Sequence, residues 1–163
     1  MRAFRRFAAR DAAALAVTVS AWILLGPLST GTTIGADMAG AGLGLAAGIC
    51  GWLIHEWGHL TVGTLAGAKF RAPDRLSSVY LFGFDKNENS KVQFLLMAAG
   101  GFAATAVCVW ATLALLPQDW MATSVLRGLL LLQVVIIALL ELPGFIVGLF
   151  AYGRLPSVNV LGD

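Results

Sequence analysis

Residues His55-Glu56-Trp57-Gly58-His59 set two imidazoles four positions apart with a glutamate beside the first. On a helix, positions i and i+4 share a face, so both rings reach one metal ion and the glutamate lies near a water on that ion. The chain has only 2 histidines, and their meeting in an H-E-x-x-H motif by chance is on the order of one in a thousand. The chemistry this spacing suits is zinc-assisted hydrolysis. The plainer alternative is a pair of hydrogen-bonded structural histidines. Haem is excluded, because two ligands one turn apart on one helix cannot bind opposite faces of an iron.

A catalytic zinc needs a third protein ligand and an open position for water. Set aside the loop charges, and the ionisable residues expected at membrane depth are His55, Glu56, His59 and Glu141. Charge at that depth is costly and marks function by default. Counted from the expected outer ends of their helices, near Met38 and Ser124, His55 and Glu141 both arrive after about 25 Å, level within a turn or two. Arg127, the only cation on the helix of Glu141, lies about 21 Å from it along the axis and cannot pair with it. Glu141 is therefore the first candidate for the third ligand. Asp163, Asp85, or no third ligand at all remain alternatives.

The elements that must carry these residues are membrane helices. The chain has 163 residues, 58% hydrophobic against 12% charged, with mean hydropathy +0.81. That is too apolar for an ordinary soluble domain and excludes disorder. Four stretches are long enough to cross a hydrocarbon core, which takes about 20 apolar residues: 12–28, 38–66, 92–116 and 123–152. The expected architecture is all-α, a single membrane domain over 1–163 of about four transmembrane helices. A loop, 69–91, separates the second from the third, and its Val79–Phe84 stretch reads equally as a short β-like edge for an extended substrate or as an amphipathic segment lying on the headgroups. Pro143-Gly144 should kink or interrupt the last span. Gly40, Gly44, Gly48 and Gly51, mostly four apart, read as a close packing face.

Ten of the eleven Lys and Arg residues fall before the first span, in the 69–91 loop or after the fourth span, leaving only Arg127 at the far side. By the positive-inside rule both termini and that loop face the cytoplasm, the expected location being a multi-pass protein of a bacterial cytoplasmic membrane. The first apolar run ends in Gly26-Pro27-Leu28-Ser29-Thr30 without an A-x-A site, so a retained anchor is preferred to a cleaved signal. The dispersed cations form no stripe, and no nucleic-acid partner is expected. Cys50 and Cys108 lie in apolar runs and read as small core residues.

The stretch from about Gly51 to Gly148 resembles the site-2 proteases, a family of membrane-embedded zinc metalloproteases. The resemblance rests on His55–His59 within a span, on Leu65-Ala66-Gly67-Ala68-Lys69, on Val79–Phe84, and on Phe94–Ala104, which is similar to the family's alanine-rich helix carrying G-P-x-x-N. It implies metal ligation by His55 and His59, with Glu56 as general base. Two departures stand out. Gly101 replaces the proline and Ala104 the asparagine that helps hold substrate, with Thr105 a candidate substitute. The family's third ligand is an aspartate in L-D-G, whereas this chain has Glu141-Leu142-Pro143-Gly144.

The expected function is an intramembrane zinc endopeptidase that cuts membrane-spanning protein substrates near the cytoplasmic side, its partners being that substrate and the lipid bilayer. The alternative is a catalytically silent relative that binds metal or a membrane protein as scaffold or regulator. A metal carrier is disfavoured, since the other spans offer no polar path.

Overall fold

The computed structural model describes residues 4–30, 33–78 and 81–155. These described residues are all-α apart from one minimal sheet. Helix α1 (Arg5–Leu25) runs into a 3-10 turn (Gly26–Thr30), followed by α2 (Ile34–Leu65), strands β1 (Phe70–Arg71) and β2 (Gly83–Phe84), α3 (Lys91–Leu115), α4 (Met121–Ile136), a π-helical turn (Ile137–Glu141) and α5 (Leu142–Ala151). Four helical units are long and apolar enough to cross a membrane: Arg5–Thr30, Ile34–Leu65, Lys91–Leu115 and Met121–Arg154. Each begins ahead of the stretch read from hydropathy. The first two start in polar turns that hydropathy alone does not count, and α2 is capped by Thr33, whose hydroxyl accepts from the Ala36 N–H at 3.2 Å.

The long central helix α2 packs against α1, α3 and α4, and glycines set those distances. A Cβ on Gly44 would meet the Ala122 carbonyl oxygen at 2.6 Å, and one on Gly48 would meet Leu129 at 2.5 Å, so the glycine face packs on α4. Further along α2, Gly58 and Gly100 of α3 approach reciprocally, each hypothetical Cβ lying 2.6 and 2.5 Å from the other's carbonyl oxygen. This backbone-to-backbone crossing brings α3 against the histidine motif.

Where α2 ends, Gly67 takes the left-handed conformation (φ 77°), and the Ala68 N–H bonds back to the Gly63 carbonyl at 2.9 Å. Ser90 and Gln93 form a capping box at the start of α3. Gln93 also donates to the Ala66 carbonyl at 3.2 Å, tying the end of α2 to the start of α3. Between them β1 and β2 pair antiparallel, Phe70 opposite Phe84 and Arg71 opposite Gly83. The sheet is thus smaller than the expected segment, of which Val79 and Tyr80 lie outside the described residues. Buried Asn89 pins it, accepting from the Lys69 N–H at 2.7 Å and donating to the carbonyls of Lys69 and Asp85.

Pro143 does not interrupt the last span. It has no N–H, and its ring would press on the carbonyl four residues back in a regular helix. The chain widens instead into the π turn, where the Leu142 N–H reaches the Ile137 carbonyl, and the helix resumes as α5.

Candidate metal centre

His55 and His59 lie on the buried face of α2, 0% and 7% exposed. His55 Nδ1 lies 3.0 Å from the Gly101 carbonyl oxygen and 2.9 Å from Thr105 Oγ1, and His59 Nδ1 lies 2.8 Å from the Met97 carbonyl oxygen. A carbonyl only accepts, so each Nδ1 carries a proton, and in the neutral rings each Nε2 presents a lone pair. Those two Nε2 atoms are 3.0 Å apart. Glu141, delivered by the last residue of the π turn, adds Oε1 at 3.1 Å from His55 Nε2 and Oε2 at 3.3 Å from His59 Nε2.

Four acceptor atoms therefore converge with no donor among them. Such a cluster repels itself unless a cation or proton sits between its members. The spacing suits a metal, since tetrahedral bonds of about 2.0–2.1 Å to nitrogen and oxygen set neighbouring ligand atoms about 3.3 Å apart. Among the described residues, His55, His59 and Glu141 are the group of three or more such side chains that could hold an ion. The donor set of two imidazoles and one carboxylate fits zinc, with coordination left for water or substrate.

Glu56 stands on the same buried stretch, 7% exposed. Its Oε2 accepts from the Leu81 N–H at 3.3 Å, which ties the loop ahead of β2 to the carboxylate. Glu56, His59 and Glu141 share one cavity of about 370 Å³.

The other expectations sort by geometry. Asp85 does not join the cluster: its Oδ2 lies 3.3 Å from Arg71 Nη2 and its Oδ1 accepts from the Asn87 N–H, because the loop turns it toward β1. Asp163 lies outside the described residues. Arg127 donates to the Gln118 carbonyl, at the other end of α4 from Glu141. Gly101 has a steric reason, since a Cβ there would sit 2.2 Å from His59 Cε1. A proline at 101 cannot coexist with this imidazole. Ala104 is likewise packed, its Cβ 2.7 Å from the Cβ position of Gly58. The Thr105 hydroxyl faces His55 and accepts from Gln133 Nε2 at 3.0 Å, so it orients a histidine rather than reaching toward substrate.

Two residues escaped the sequence reading. Gln133, buried in α4, supports His55 through Thr105. Its signal was a lone amide in an apolar run. Asp11, buried within α1, accepts from Trp57 Nε1 at 2.9 Å and from Arg10 Nε at 2.6 Å. Arg10 in turn donates to the carbonyls of Leu76 and Ser78. The first helix thereby holds both the middle of the histidine motif and the loop leading to Leu81. Asp11 borders the charged N-terminal segment, just ahead of the apolar run that begins at residue 12. Comparison with protein families, characterised proteins and solved structures finds no match for this chain.

Proposed function

We propose that the chain is an intramembrane zinc endopeptidase of the kind its motif resembles, cutting membrane-spanning proteins near the cytoplasmic side. The observation that carries this reading is the meeting of Glu141 with His55 and His59 across two helices, four lone-pair atoms turned inward within reach of Glu56. His55, His59 and Glu141 would hold the zinc. When bound there, it supplies Lewis acidity toward a peptide carbonyl and makes water a stronger acid.

Glu56 performs the proton transfers. Its carboxylate takes a proton from the attacking water and passes it to the departing amine nitrogen, so the glutamate returns to its starting state. The Leu81 amide holds one carboxylate oxygen in place during the cycle. A substrate helix keeps its carbonyls bonded and wrapped, so it must unwind at the cut. The extended segment Leu81–Phe84 flanks the cavity and offers the unwound strand an edge to pair with.

A second reading, a silent scaffold, has its own support. The position expected to carry an asparagine is filled by the Gly58–Ala104 packing contact, and the Thr105 hydroxyl is already engaged by His55 and Gln133. One experiment separates the two. Metal content and cleavage of a co-reconstituted single-span protein are measured for wild type, Glu56→Gln and His55→Ala. The enzyme retains about one zinc in Glu56→Gln with no cleavage and loses both in His55→Ala. Zinc in the wild type with no fragment from any of a panel of single-span proteins identifies the scaffold.

A further inference from the structure

The cavity beside the three candidate ligands has two unlike sides. One carries Glu56, His59 and Glu141; the rest is built largely from Phe82, Phe84, Phe94, Met97, Leu140 and Gly144. Phe84 stacks at a tilt on Phe94 with centroids 5.8 Å apart, and Phe94 on Tyr152 at 5.7 Å. These contacts hold the aromatic wall firm. Phe94 is further fixed from behind by Gly148, where a Cβ would meet its ring at 2.5 Å. The two remaining polar lining residues are engaged by the protein itself. Lys86 Nζ donates to the Gly153 carbonyl at 3.5 Å and Tyr152 Oη to the Asn89 carbonyl at 2.8 Å.

A volume of about 370 Å³ lies within the range of ligand pockets. Away from the reactive carboxylates and imidazoles it offers a ligand mainly aromatic faces and aliphatic groups; Tyr152 Oη is bonded to the Asn89 carbonyl, and Lys86 Nζ makes one contact, at 3.5 Å, to the Gly153 carbonyl. Burying an aromatic ring or a branched aliphatic chain against these walls removes apolar surface from water, whereas a charged or amide side chain would lose hydration against the same aromatic faces.

We propose that this cavity is the specificity pocket of the chain, receiving a large apolar side chain, aromatic above all, of the residue next to the scissile bond. The proposal rests on the endopeptidase reading for its placement of the scissile bond, but binding tests it separately. Selection lies in Phe82, Phe84 and Phe94 at the loop end of the bundle, and Gly144 leaves the opposite side open. A Cβ at Gly144 would meet nothing within 4 Å, so Gly144→Leu can enter the pocket without first displacing backbone. Phe94→Ala acts in the opposite sense and removes part of the far wall.

The test uses the purified, zinc-loaded full chain in detergent and three zinc-binding probes, the N-acetyl hydroxamic acids of phenylalanine, leucine and alanine, with affinities read by calorimetry. The phenylalanine probe should bind at least about tenfold more tightly than the alanine probe, since even one methylene in an apolar pocket changes selection by about that factor. Gly144→Leu should erase the difference while zinc content is kept. Phe94→Ala should reduce it and shift preference toward a naphthyl analogue. Equal affinities for the three probes, or a preference untouched by both substitutions, overturn the pocket and leave the zinc reading standing. A benzyl preference in a protein that cleaves no membrane substrate keeps the pocket and removes the protease. A chain that takes up no zinc sinks both.

Discussion

His55 Nδ1 is held by two groups, one of them backed by a third, and each has a different origin. The Gly101 carbonyl exists because α3 crosses α2 at glycine, the Thr105 hydroxyl lies one turn further along α3, and Gln133 arrives from α4. Outer-shell partners of this kind fix the tautomer and aim the lone pair, and removing one costs roughly 10–100-fold in metal affinity. Gln133→Leu should therefore weaken zinc binding by about tenfold in competition with a chromogenic chelator, while Gln133→Glu, which still reaches Thr105, should lose less. Affinity unchanged in Gln133→Leu would reduce the amide to a packing residue. Gly101→Ala tests a separate role of the same glycine, toward His59. Its methyl would sit 2.2 Å from His59 Cε1, so the ring must swing away from the Met97 carbonyl, and both metal binding and stability should fall, the latter by about 1–3 kcal/mol. The two histidines and Glu56 were legible in the sequence because their relation is local, set by helical period alone. Gln133 and Asp11 were not, because their meaning comes from which helix lies opposite.

Glu141 shows how an element can decide what a residue does. Its identity as a ligand candidate followed from depth, but its aim comes from the π turn, and that turn comes from Pro143. The proline was expected to kink or interrupt the helix. The span runs on through it, with a wide turn ahead of the proline and the carboxylate at that turn's last position. Pro143→Ala, which restores the N–H and removes the ring, should let the turn close into regular α-helix and rotate Glu141 by about 90° relative to α4. Zinc content should drop toward that of Glu141→Ala while helical circular dichroism is maintained. Full metal retention in Pro143→Ala would mean that Glu141 reaches the histidines without the widened turn. The Gly58 and Gly100 crossing makes a parallel case. Gly58 sits inside the motif and reads there as a filler between ligands, yet a Cβ on it would strike the Gly100 carbonyl and Ala104. Gly58→Leu should separate α2 from α3 and lower resistance to unfolding by about 1–3 kcal/mol, measured by denaturant titration in detergent. No helical period could have revealed that contact, because its partner lies in another helix.

At the scale of the molecule, charge and chemistry collect at one end of an apolar bundle. Helix α1 begins there with Arg5, Arg6 and Arg10, and the Arg10 guanidinium reaches the Leu76 and Ser78 carbonyls of the loop. Lys91 reaches the Leu149 carbonyl of α5, and Tyr152 the Asn89 carbonyl, so the start of α1, the loop and the end of the last span share one face. The opposite end is built from Trp22 against Trp120, centroids 6.2 Å apart, with Arg127 as the cation beside it. Between these ends the helices present large apolar side chains outward, Phe150 85% and Leu140 72% exposed, which suits lipid and would be a liability in water. The four-helix count and the grouping of cations were readable from hydropathy and charge, since both are sums over many residues. By the positive-inside rule this charged end is expected to face the cytoplasm. Asn87 and Asp119 are exposed at opposite ends of the bundle, and the two native cysteines, Cys50 and Cys108, lie within helices. In a variant with Cys50 and Cys108 replaced by serine or alanine, Asp119→Cys should react with a membrane-impermeant maleimide in intact cells, and Asn87→Cys only after permeabilisation. The reverse pattern would invert the bundle, place the cavity and Glu56 on the outer side, and require that any substrate be cut near that surface instead.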